Sequence, residues 1–332
     1  MKNKLAPLNL QNISDISNNS GISKEYIYRF ITKSPDDFNN QKYYRNFSIS
    51  KKNHGIRTIN APLPTLAILQ SYIKDNILDL YPQKISKYAK AYKYHTSIKD
   101  NVRFHRSSKF IIKLDIVDFF GNIDNKKVFL LFKSMGLSTE VSSVLSLICS
   151  LNDHSIPQGS VTSPQISNMI MFHFDNYIGD YATKKFIRYT RYADDITISG
   201  NDINDLKTVS TKIATMLYKM GFEINSRKRQ LLLPSQKQRI TGITVNSVLN
   251  VDIKVRKNLR LELHHYLSDH SQYHLLSKLG HGYNDYDHLT YARRLLGKIN
   301  FILYINPKNK DYFLNAKYKI LKNIDQIKNN KH

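Results

Sequence analysis

Two adjacent aspartates, Asp194 and Asp195, are the residues of this chain with the clearest capacity for chemistry. They stand between the segments 187–192 and 196–199, in which apolar and polar residues alternate. Such alternation predicts two strands joined by a tight turn, which Asp stabilises through its own backbone. Two carboxylates projecting from one turn repel each other. The pair therefore favours a hard divalent cation with oxygen ligands, typically Mg²⁺.

A third carboxylate strengthens this interpretation, because an Asp-Asp pair alone is more often a solvated turn. Asp115 ends a mostly apolar segment and lies 79 residues before Asp194. Two-metal phosphoryl transfer needs carboxylates from separate strands around two ions about 3.5–4 Å apart. We therefore predict that Asp115, Asp194 and Asp195 hold two metal ions. Asp118 is expected on the same strand, facing away from Asp115, with a structural role.

The elements around these acids must bring them together. Ser163 and Pro164 predict a helix start, with a hydroxyl cap and a proline at the first helical position, and a helix over 165–183. A second helix is predicted over 204–220 and a short strand over 222–224. With the strand before Asp115, the order is strand, helix, strand, strand, helix, strand. This is the split βαβ pattern, in which the first strand end and the hairpin turn are neighbours.

The charge of the chain indicates a polyanionic partner. Fifty Lys and Arg residues against 26 Asp and Glu residues give a formal net charge of +24, and nucleic acid fits this excess best. The sequence has no run of 18 apolar residues, no signal peptide and no amphipathic basic arm. We therefore expect a cytoplasmic protein without membrane association.

Cysteine and histidine usage argues against a zinc site. The single cysteine, Cys149, lies in an apolar run and is predicted to be a core residue, and it excludes an internal disulfide. His270 and His274 have the spacing of a helical metal pair. Because no cysteine or acidic general base accompanies them, we interpret them as polar helix surface.

The same residues resemble the reverse transcriptases, and within that family the bacterial retron reverse transcriptases, over about residues 45–245. The matching blocks are Gly55-Ile56-Arg57-Thr58-Ile59-Asn60-Ala61-Pro62, Asp115 with Phe119-Phe120, Pro157-Gln158-Gly159 with Ser163-Pro164, Tyr192-Ala193-Asp194-Asp195, and Gly221-Phe222 with Asn225-Ser226-Arg227-Lys228. The resemblance implies an α+β right-hand polymerase with a ferredoxin-like split βαβ palm, fingers and a mostly helical basic thumb. It also implies an RNA-directed DNA polymerase that uses deoxynucleoside triphosphates.

The resemblance assigns roles to single residues. Asp115, Asp194 and Asp195 would be catalytic and, with Ile116, would contact two Mg²⁺ ions, for which Mn²⁺ is a possible substitute. Residues implied to contact the nucleotide are Arg57 at the triphosphate, Phe120 as the steric gate against a 2′-hydroxyl, Gln158 and Gly159 in the template and nucleotide grip, and Lys228 at the pyrophosphate.

Two further segments are similar to elements of retron enzymes. Residues 101–105 resemble the Asn-Ala-x-x-His element, and 240–242 resemble the Val-Thr-Gly element. Val102 and Ile240 replace the usual Ala and Val but keep apolar character. The residues expected to bind RNA are Asn101, His105, Thr241 and Gly242 from these elements, with Arg256, Lys257 and Arg260 from the basic region that follows.

We expect three regions along the chain. Residues 1–34 would form an N-terminal helical extension, 35–246 the fingers and palm, and 247–332 a helical basic thumb that binds RNA. Residues 251–332 contain 15 Lys or Arg and seven acidic residues, which suits contact with phosphates. The chain after Gly242 is too short for the maturase or endonuclease extensions of mobile-intron enzymes, so a compact polymerase is expected.

By resemblance to retrons, the enzyme would copy part of one structured noncoding RNA from an internal guanosine 2′-hydroxyl. The branched RNA–DNA product, msDNA, would stay bound, and a separate effector protein would serve defence against phage. Two alternatives stay open. One is another bacterial defence or diversity-generating reverse transcriptase with a different primer. The other is a non-catalytic RNA-binding scaffold, against which the intact acids Asp115, Asp194 and Asp195 argue.

Overall fold

A computed structural model of the chain describes residues 10–32, 42–51, 55–151, 155–268 and 285–329, and His270 and His274 lie outside them. The described residues fall into two compact units. The first holds residues up to Asn101 and Lys109–Leu231, and the second holds Val102–Ser108 and residues from Leu232 onward.

The second unit therefore begins earlier than residue 247, where the sequence placed the third region. It also includes a short segment from much earlier in the chain, because the Ser107 N–H donates to the carbonyls of Val245 and Asn246, at 3.1 and 2.8 Å. The division into extension, fingers with palm, and thumb stays a prediction.

The first unit combines helices with a two-stranded and a four-stranded sheet. Its strands are β1 (Tyr44–Lys51), β2 (Gly55–Pro62), β3 (Phe110–Asp115), β4 (Arg188–Tyr192), β5 (Asp195–Gly200) and β6 (Gln230–Leu232). The described α-helices up to β6 are α1 (Ile13–Ser20), α2 (Lys24–Thr32), α3 (Pro64–Asn76), α4 (Ile98–Arg103), α5 (Asn125–Lys133), α6 (Thr139–Cys149), α7 (Ser163–Ile170), α8 (Phe172–Lys184) and α9 (Ile203–Lys219).

The four-stranded sheet has the order β4-β5-β3-β6. Strand β5 pairs antiparallel with both β3 and β4, and helix α9 connects β5 to the final strand. This is the order that the split βαβ pattern predicts. The register places Asp115 opposite Asp195, so the predicted proximity of the first strand end and the hairpin is confirmed.

Apolar side chains on these elements form the core under the sheet. Alternate strand positions and one face of α9 supply Ile112, Leu114, Ile196, Ile198, Leu206, Val209, Ile213 and Leu217, all of them buried. Side chains of a strand alternate between the two faces of a sheet, and residues 196–200 of β5 are buried on both faces, whereas α9 buries one apolar stripe.

Three predictions of local structure were wrong: the single helix over 165–183, the capping role of Ser163 and the strand over 222–224. The predicted helix over 165–183 is two helices, α7 and α8, which meet at Met171. Ser163 is the first helical residue rather than a cap, and among the described residues its buried hydroxyl has no hydrogen-bond partner.

The predicted strand over 222–224 forms only a single bridge, between Ile224 and Ile116. The Asn225 N–H donates to the Asp115 carbonyl, and the 3₁₀ turn Ser226–Lys228 then redirects the chain into β6.

The described part of the N-terminal extension contains the two helices α1 and α2. Ile16, Ile27 and Phe30 from these helices are buried in the same core as Tyr43 and Leu145. The N-terminal helices are thus packed into the first unit rather than forming a separate core.

Residues 232–268 and 285–329, the described C-terminal part of the second unit, form a small sheet and three long helices. Its elements are the strands β7 (Arg239–Ile240), β8 (Ile243–Thr244) and β9 (Asn250–Val251), in that order in the sheet, and the helices α10 (Ile253–Leu267), α11 (Asp285–Ile305) and α12 (Lys310–Asn329). Leu263, Leu295 and Phe313 are buried, one from each helix. No described helix has both the length and the apolar character needed to cross a bilayer.

Candidate active site

The three aspartates predicted to be catalytic come together at the end of the four-stranded sheet. Asp115 is the last residue of β3 and pairs with Asp195, the first residue of β5. The Ile116 N–H donates to the Asp194 carbonyl at 3.1 Å. Ala193 has a φ of 58°, which allows a two-residue turn between β4 and β5. Strand pairing alone therefore gathers the three acids.

The ionised forms of the Asp194 and Asp195 carboxyl groups are disfavoured. Desolvation, with a further contribution from the negative charge of Asp194, raises the pKa of Asp195 to about 6. Desolvation also raises the pKa of Asp194, while the positive charges of Lys228 and Arg57 act in the opposite direction. Partly buried like charges require compensation by protons or cations, and oxygen donors of this type suit a hard divalent cation.

Lys228 provides that compensation in the structure. Its Nζ donates to both carboxylate oxygens of Asp115, each at 3.0 Å. Within the described ranges, no group of three His, Cys, Asp or Glu side chains already surrounds a common metal position. The donor chemistry fits a metal, but Asp115 is engaged by an ammonium group, so the two-ion site stays a prediction. Because the Lys228 side chain is 59% exposed, it can leave Asp115 at little cost.

Asp118 does not lie on the strand, contrary to the sequence expectation. Strand β3 ends at Asp115, and Asp118 is in the following turn with a φ of 39°. Its side chain is exposed and lies against Gly121, and its carbonyl accepts the Asn122 N–H. The turn, rather than strand alternation, therefore separates Asp118 from Asp115.

A buried ion pair supports the catalytic hairpin, and sequence reasoning missed it. The Arg191 and Asp175 side chains are both fully buried, with Nη2 of Arg191 2.7 Å from Oδ2 of Asp175. Arg191 Nη1 donates to the Ala193 carbonyl at 3.0 Å, and the Tyr189 hydroxyl donates to Asp175 at 2.7 Å. The pair thereby fixes the turn that carries Asp194. The one signal in the sequence was a charged residue at an inward position of β4.

The aromatic pair after Asp115 divides into an inner and an outer ring. Phe119 is buried, with its centroid 5.7 Å from the Phe222 ring and 5.7 Å from the Arg191 guanidinium carbon. Phe120 is half-buried, with its ring centroid 5.5 Å from that of Phe119. Phe119 thus anchors the segment in the core, and the gate role of Phe120 stays a prediction.

The Gln158-Gly159 segment is hydrogen-bonded to strand β2. The Asn60 N–H donates to the Gln158 carbonyl at 2.7 Å. Gly159 has a φ of +116°, and a Cβ there would lie 2.9 Å from the Asn60 carbonyl oxygen. Glycine is therefore required by both backbone conformation and space. Arg57 is exposed on β2, and its charge acts on Asp194.

Asn101 and His105, predicted to bind RNA, are not available for direct contact. Their exposed fractions are 1% and 0%. The Asn101 Oδ1 accepts a hydrogen bond of 2.7 Å from the Thr190 hydroxyl on β4. Burial corrects the expectation of direct contact, and any effect of Asn101 on RNA binding would act through the position of β4.

The Thr241-Gly242 segment is the hairpin turn between β7 and β8. Their φ angles are 44° and 86°, which is the pattern of a type I′ turn, and Ile240 pairs with Ile243 across it. A β-branched residue such as Thr241 rarely adopts a positive φ. The turn exposes Gly242, which is consistent with the predicted contact to RNA.

The basic residues of α10 differ in their surroundings. Arg256 Nε donates to the Val251 carbonyl at 3.1 Å, so part of its guanidinium serves the fold. Arg260 lies over the Tyr312 ring, 5.3 Å from the centroid. Lys257 is exposed. Among the three, Lys257 is the side chain best placed to reach a phosphate without disturbing packing.

Comparisons with known proteins agree with this geometry. The family described as Reverse transcriptase (RNA-dependent DNA polymerase) matches residues 49–245. The chain is 31% identical to the retron Ec86 reverse transcriptase of Escherichia coli over 259 residues, 77% of this chain and 78% of that protein. It is 29% identical to the retron Mx65 reverse transcriptase of Myxococcus xanthus over 67% of this chain and 56% of that protein.

A solved structure of apo telomerase from Candida tropicalis is similar in fold. It superposes with a TM-score of 0.50 at 12% identity, covering 92% of this chain and 64% of that chain. At this identity, the likeness concerns the polymerase fold alone.

Proposed function

The chain belongs to the bacterial retron reverse transcriptases and is an RNA-directed DNA polymerase, and from this premise we propose the reaction that it performs. It copies part of one structured noncoding RNA into DNA, starting from an internal guanosine 2′-hydroxyl. The product is a branched RNA–DNA molecule that the enzyme keeps bound. The observation that carries this proposal is the convergence of Asp115, Asp194 and Asp195 at the sheet edge, in a chain similar to retron enzymes along most of its length.

Asp115, Asp194 and Asp195 would hold two Mg²⁺ ions, with Mn²⁺ as a possible substitute. Bound there, the ions would supply charge neutralisation for the attacking and leaving oxygens. Raised carboxyl pKa values and an exposed, displaceable Lys228 support this assignment. Catalysis by such a site consists mainly of positioning and electrostatic stabilisation.

The surrounding residues orient the substrates. Arg57 binds the triphosphate, and its electrostatic action on Asp194 supports a position near the reacting groups. Lys228 leaves Asp115 and steadies or protonates the pyrophosphate. Gln158 and Gly159, fastened to β2, shape the template and nucleotide grip, and Phe120 excludes the ribose 2′-hydroxyl.

The partners are the cognate noncoding RNA, its RNA–DNA product, deoxynucleoside triphosphates and a separate effector protein that acts in defence against phage. The net charge of +24 supports retention of a nucleic acid. The similarity to several retron enzymes supports a dedicated RNA.

The test is to express the protein with its native flanking DNA and to purify it with its nucleic acid. One small RNA joined to single-stranded DNA should copurify. After RNase treatment the DNA should retain a ribonucleotide at its 5′ end, and a 2′,5′-debranching enzyme should remove it. The Asp194→Asn/Asp195→Asn protein, expressed in the same way, should carry the RNA without DNA.

Three outcomes separate the alternatives. DNA with an ordinary free 5′ end would eliminate the 2′-priming proposal and favour another defence or diversity-generating enzyme. A heterogeneous RNA population would eliminate the dedicated partner. A wild-type protein that binds RNA and carries no DNA, and that extends no primer, would favour a binding scaffold.

A further inference from the structure

The first unit also contains a concave surface next to the segment that begins at Lys90, whose N–H donates to the Arg191 carbonyl of β4 at 2.8 Å. It is a cavity of about 350 Å³. The lining residues that matter here are Lys74, Asp79, Tyr92, Tyr94, Val161 and Pro164. This volume is at the small end of ligand sites, which suits one planar group rather than an extended molecule. We call this cavity the Tyr92–Tyr94 pocket.

Tyr94 presents a fixed aromatic ring to solvent. Its side chain is 66% exposed, yet its hydroxyl donates to Asp79 Oδ2 at 3.0 Å and accepts from Lys74 Nζ at 2.7 Å. Exposed tyrosines are ordinarily free to change rotamer, so a ligand that orders them loses affinity. Because Tyr94 is already held, a ring that stacks on it avoids most of this entropic cost.

Tyr92 follows a residue that is linked by hydrogen bonds to the strand before the Asp194-Asp195 turn. Asn168 Nδ2 donates to the Ala91 carbonyl at 2.8 Å, and Arg191 Nη2 donates to Asn168 Oδ1 at 3.1 Å. Tyr92 is 49% exposed and has a φ of 54°, a conformation that a bulky residue rarely adopts. Such strain concentrates at functional sites, where the surrounding structure maintains it.

The opposite wall is rigid and follows directly from the Gln158-Gly159 segment. Gln70 is buried, and its Oε1 accepts hydrogen bonds from the Ser160 hydroxyl at 2.8 Å and from the Val161 N–H at 3.4 Å. Pro164 then begins α7. The pocket therefore lies between the loop that Gln70 holds by hydrogen bonds and the Tyr94 ring, whose hydroxyl is also hydrogen-bonded.

We propose that the Tyr92–Tyr94 pocket binds one unpaired base of the RNA template, the base immediately 5′ of the position being copied. Single-stranded nucleic acid is recognised by stacking on aromatic side chains, with cations near the backbone. Tyr94 supplies the ring and Lys93 supplies a cation, while Lys74 is paired with Asp75 and Asp79. The inference rests on template-directed synthesis and adds a site that holds the next base before it is copied.

The experiment measures the affinity of the protein for primer–template duplexes that carry a two-nucleotide RNA template overhang. The second overhang nucleotide, immediately 5′ of the base being copied, is either normal or abasic. For the wild type, the abasic overhang should weaken binding about tenfold, the value of one stacked base. Tyr94→Ala should lose about tenfold on the normal overhang and nothing further on the abasic one. Tyr94→Phe keeps the ring and should retain most of the affinity.

Tyr218→Ala is the matched control, because Tyr218 is 74% exposed on α9, outside the pocket. This variant should distinguish normal from abasic overhangs as strongly as the wild type. A 4-thiouridine at the second overhang position, immediately 5′ of the base being copied, should crosslink to Tyr92 or Tyr94. Equal affinity of the wild type for both overhangs, or crosslinks confined to other residues, would overturn the proposal.

Primer extension on the same duplexes separates this inference from the proposed function. The wild type could extend primers up to the abasic position while binding normal and abasic duplexes with equal affinity. This result would support the polymerase function and refute the pocket proposal. If no primer is extended but the overhang base still contributes to binding through Tyr94, the pocket stands and the polymerase proposal fails. If the pocket instead binds a protein partner, the normal and abasic overhangs should compete with that partner to the same extent, which would refute the pocket proposal.

Discussion

The carboxylates predicted to be catalytic lie in surroundings that disfavour their charge. Asp194 and Asp195 are partly buried beside Asp115, and desolvation raises the pKa of both. The same repulsion that disfavours the metal-free charged site provides the drive to bind cations. Substitution of these residues should therefore change both the activity and the stability of the protein.

Replacing Asp194 and Asp195 together by Asn should abolish DNA synthesis while the protein stays folded and binds RNA. The change removes the charge needed for metal binding and nearly preserves side-chain volume. Primer extension in Mg²⁺ measures the activity, and filter binding measures the RNA affinity. Extension at the wild-type rate by this double variant would refute the catalytic assignment.

Asp195→Asn alone should stabilise the metal-free protein at pH 7 by about 1–2 kcal/mol, after discounting for partial exposure. The pKa of Asp195 is raised to about 6, so the folded state binds its proton more tightly than the unfolded state. The contribution of Asp195 to stability should therefore be fully present below about pH 4 and should be lost as pH rises through about 6. Denaturant titrations with and without Asp195→Asn across this range measure the difference.

The control is Asp202→Asn. Backbone N–H groups of Asp205 and Asn204 donate to Asp202 and lower its pKa, so removal of its charge should not stabilise the protein. Addition of Mg²⁺ should raise the stability of the wild type at pH 7 and should have little effect on Asp195→Asn. An equal gain in both proteins would contradict metal binding by Asp195.

Phe120→Ala should admit ribonucleotides, because removal of the half-buried ring opens space beside the sugar. The neighbouring Phe119 is buried, so Phe119→Leu tests general damage to the core without opening that space. Competition between deoxy- and ribonucleotides in primer extension is the measurement. Unchanged discrimination in Phe120→Ala would exclude this residue as the gate.

At the scale of elements, the hairpin between β4 and β5 depends on helix α8 for its shape. Asp175 on α8 pairs with Arg191 on β4, and Arg191 in turn holds the Ala193 carbonyl. Removal of one partner of a buried pair leaves an uncompensated charge, whereas an exposed pair contributes little. The chain offers a buried and a partly exposed pair at the same distance, since the Lys185 and Asp205 side chains, 33% and 40% exposed, also form an ion pair at 2.7 Å.

Asp175→Asn should therefore cost about 3–5 kcal/mol of unfolding free energy. Asp205→Asn should cost less than about 1 kcal/mol. Asp175→Leu with Arg191→Met should recover most of the stability but leave DNA synthesis impaired, because the hydrogen bond to the Ala193 carbonyl is lost. Full activity in this double variant would show that the pair serves folding alone.

At the scale of the whole molecule, a charge of +24 makes nucleic-acid binding strongly dependent on salt. The basic residues of α10 do not contribute in the same way, because Arg256 and Arg260 also make contacts within their own unit. Lys257 is exposed, so its substitution tests contact with phosphate without disturbing the fold.

Lys257→Glu should weaken RNA binding and lower the slope of log affinity against log salt by about 0.7–0.9, the value of one phosphate contact. Arg260→Lys keeps the charge while altering the stacking on Tyr312, and it should leave the slope unchanged. Affinity measured at a series of salt concentrations gives both slopes. A wild-type slope in Lys257→Glu would place this side chain away from the RNA.

The sequence by itself determined the positions of the three acids, the hairpin and the pairing of the strands that carry them, whereas the fourth strand of the sheet lies at Gln230–Leu232 rather than at the predicted 222–224. Asp194 and Asp195 lie between two alternating segments, and Asp115 ends an apolar strand, so local periodicity was sufficient to identify all three. Strand β4, strand β5 and helix α9 occur within one or two residues of their predicted bounds. Local patterns fix such elements because the residues that decide them are neighbours in the chain.

Only the tertiary structure decided which groups meet across long sequence distances. Lys228 reaches Asp115, Arg191 is paired with Asp175 inside the protein, and Asn101 is buried against β4 rather than facing RNA. Each outcome depends on burial and on a partner from another element. A charged or polar side chain has the same identity in solvent and in the interior, so its role becomes fixed only when packing removes it from water and supplies its partner.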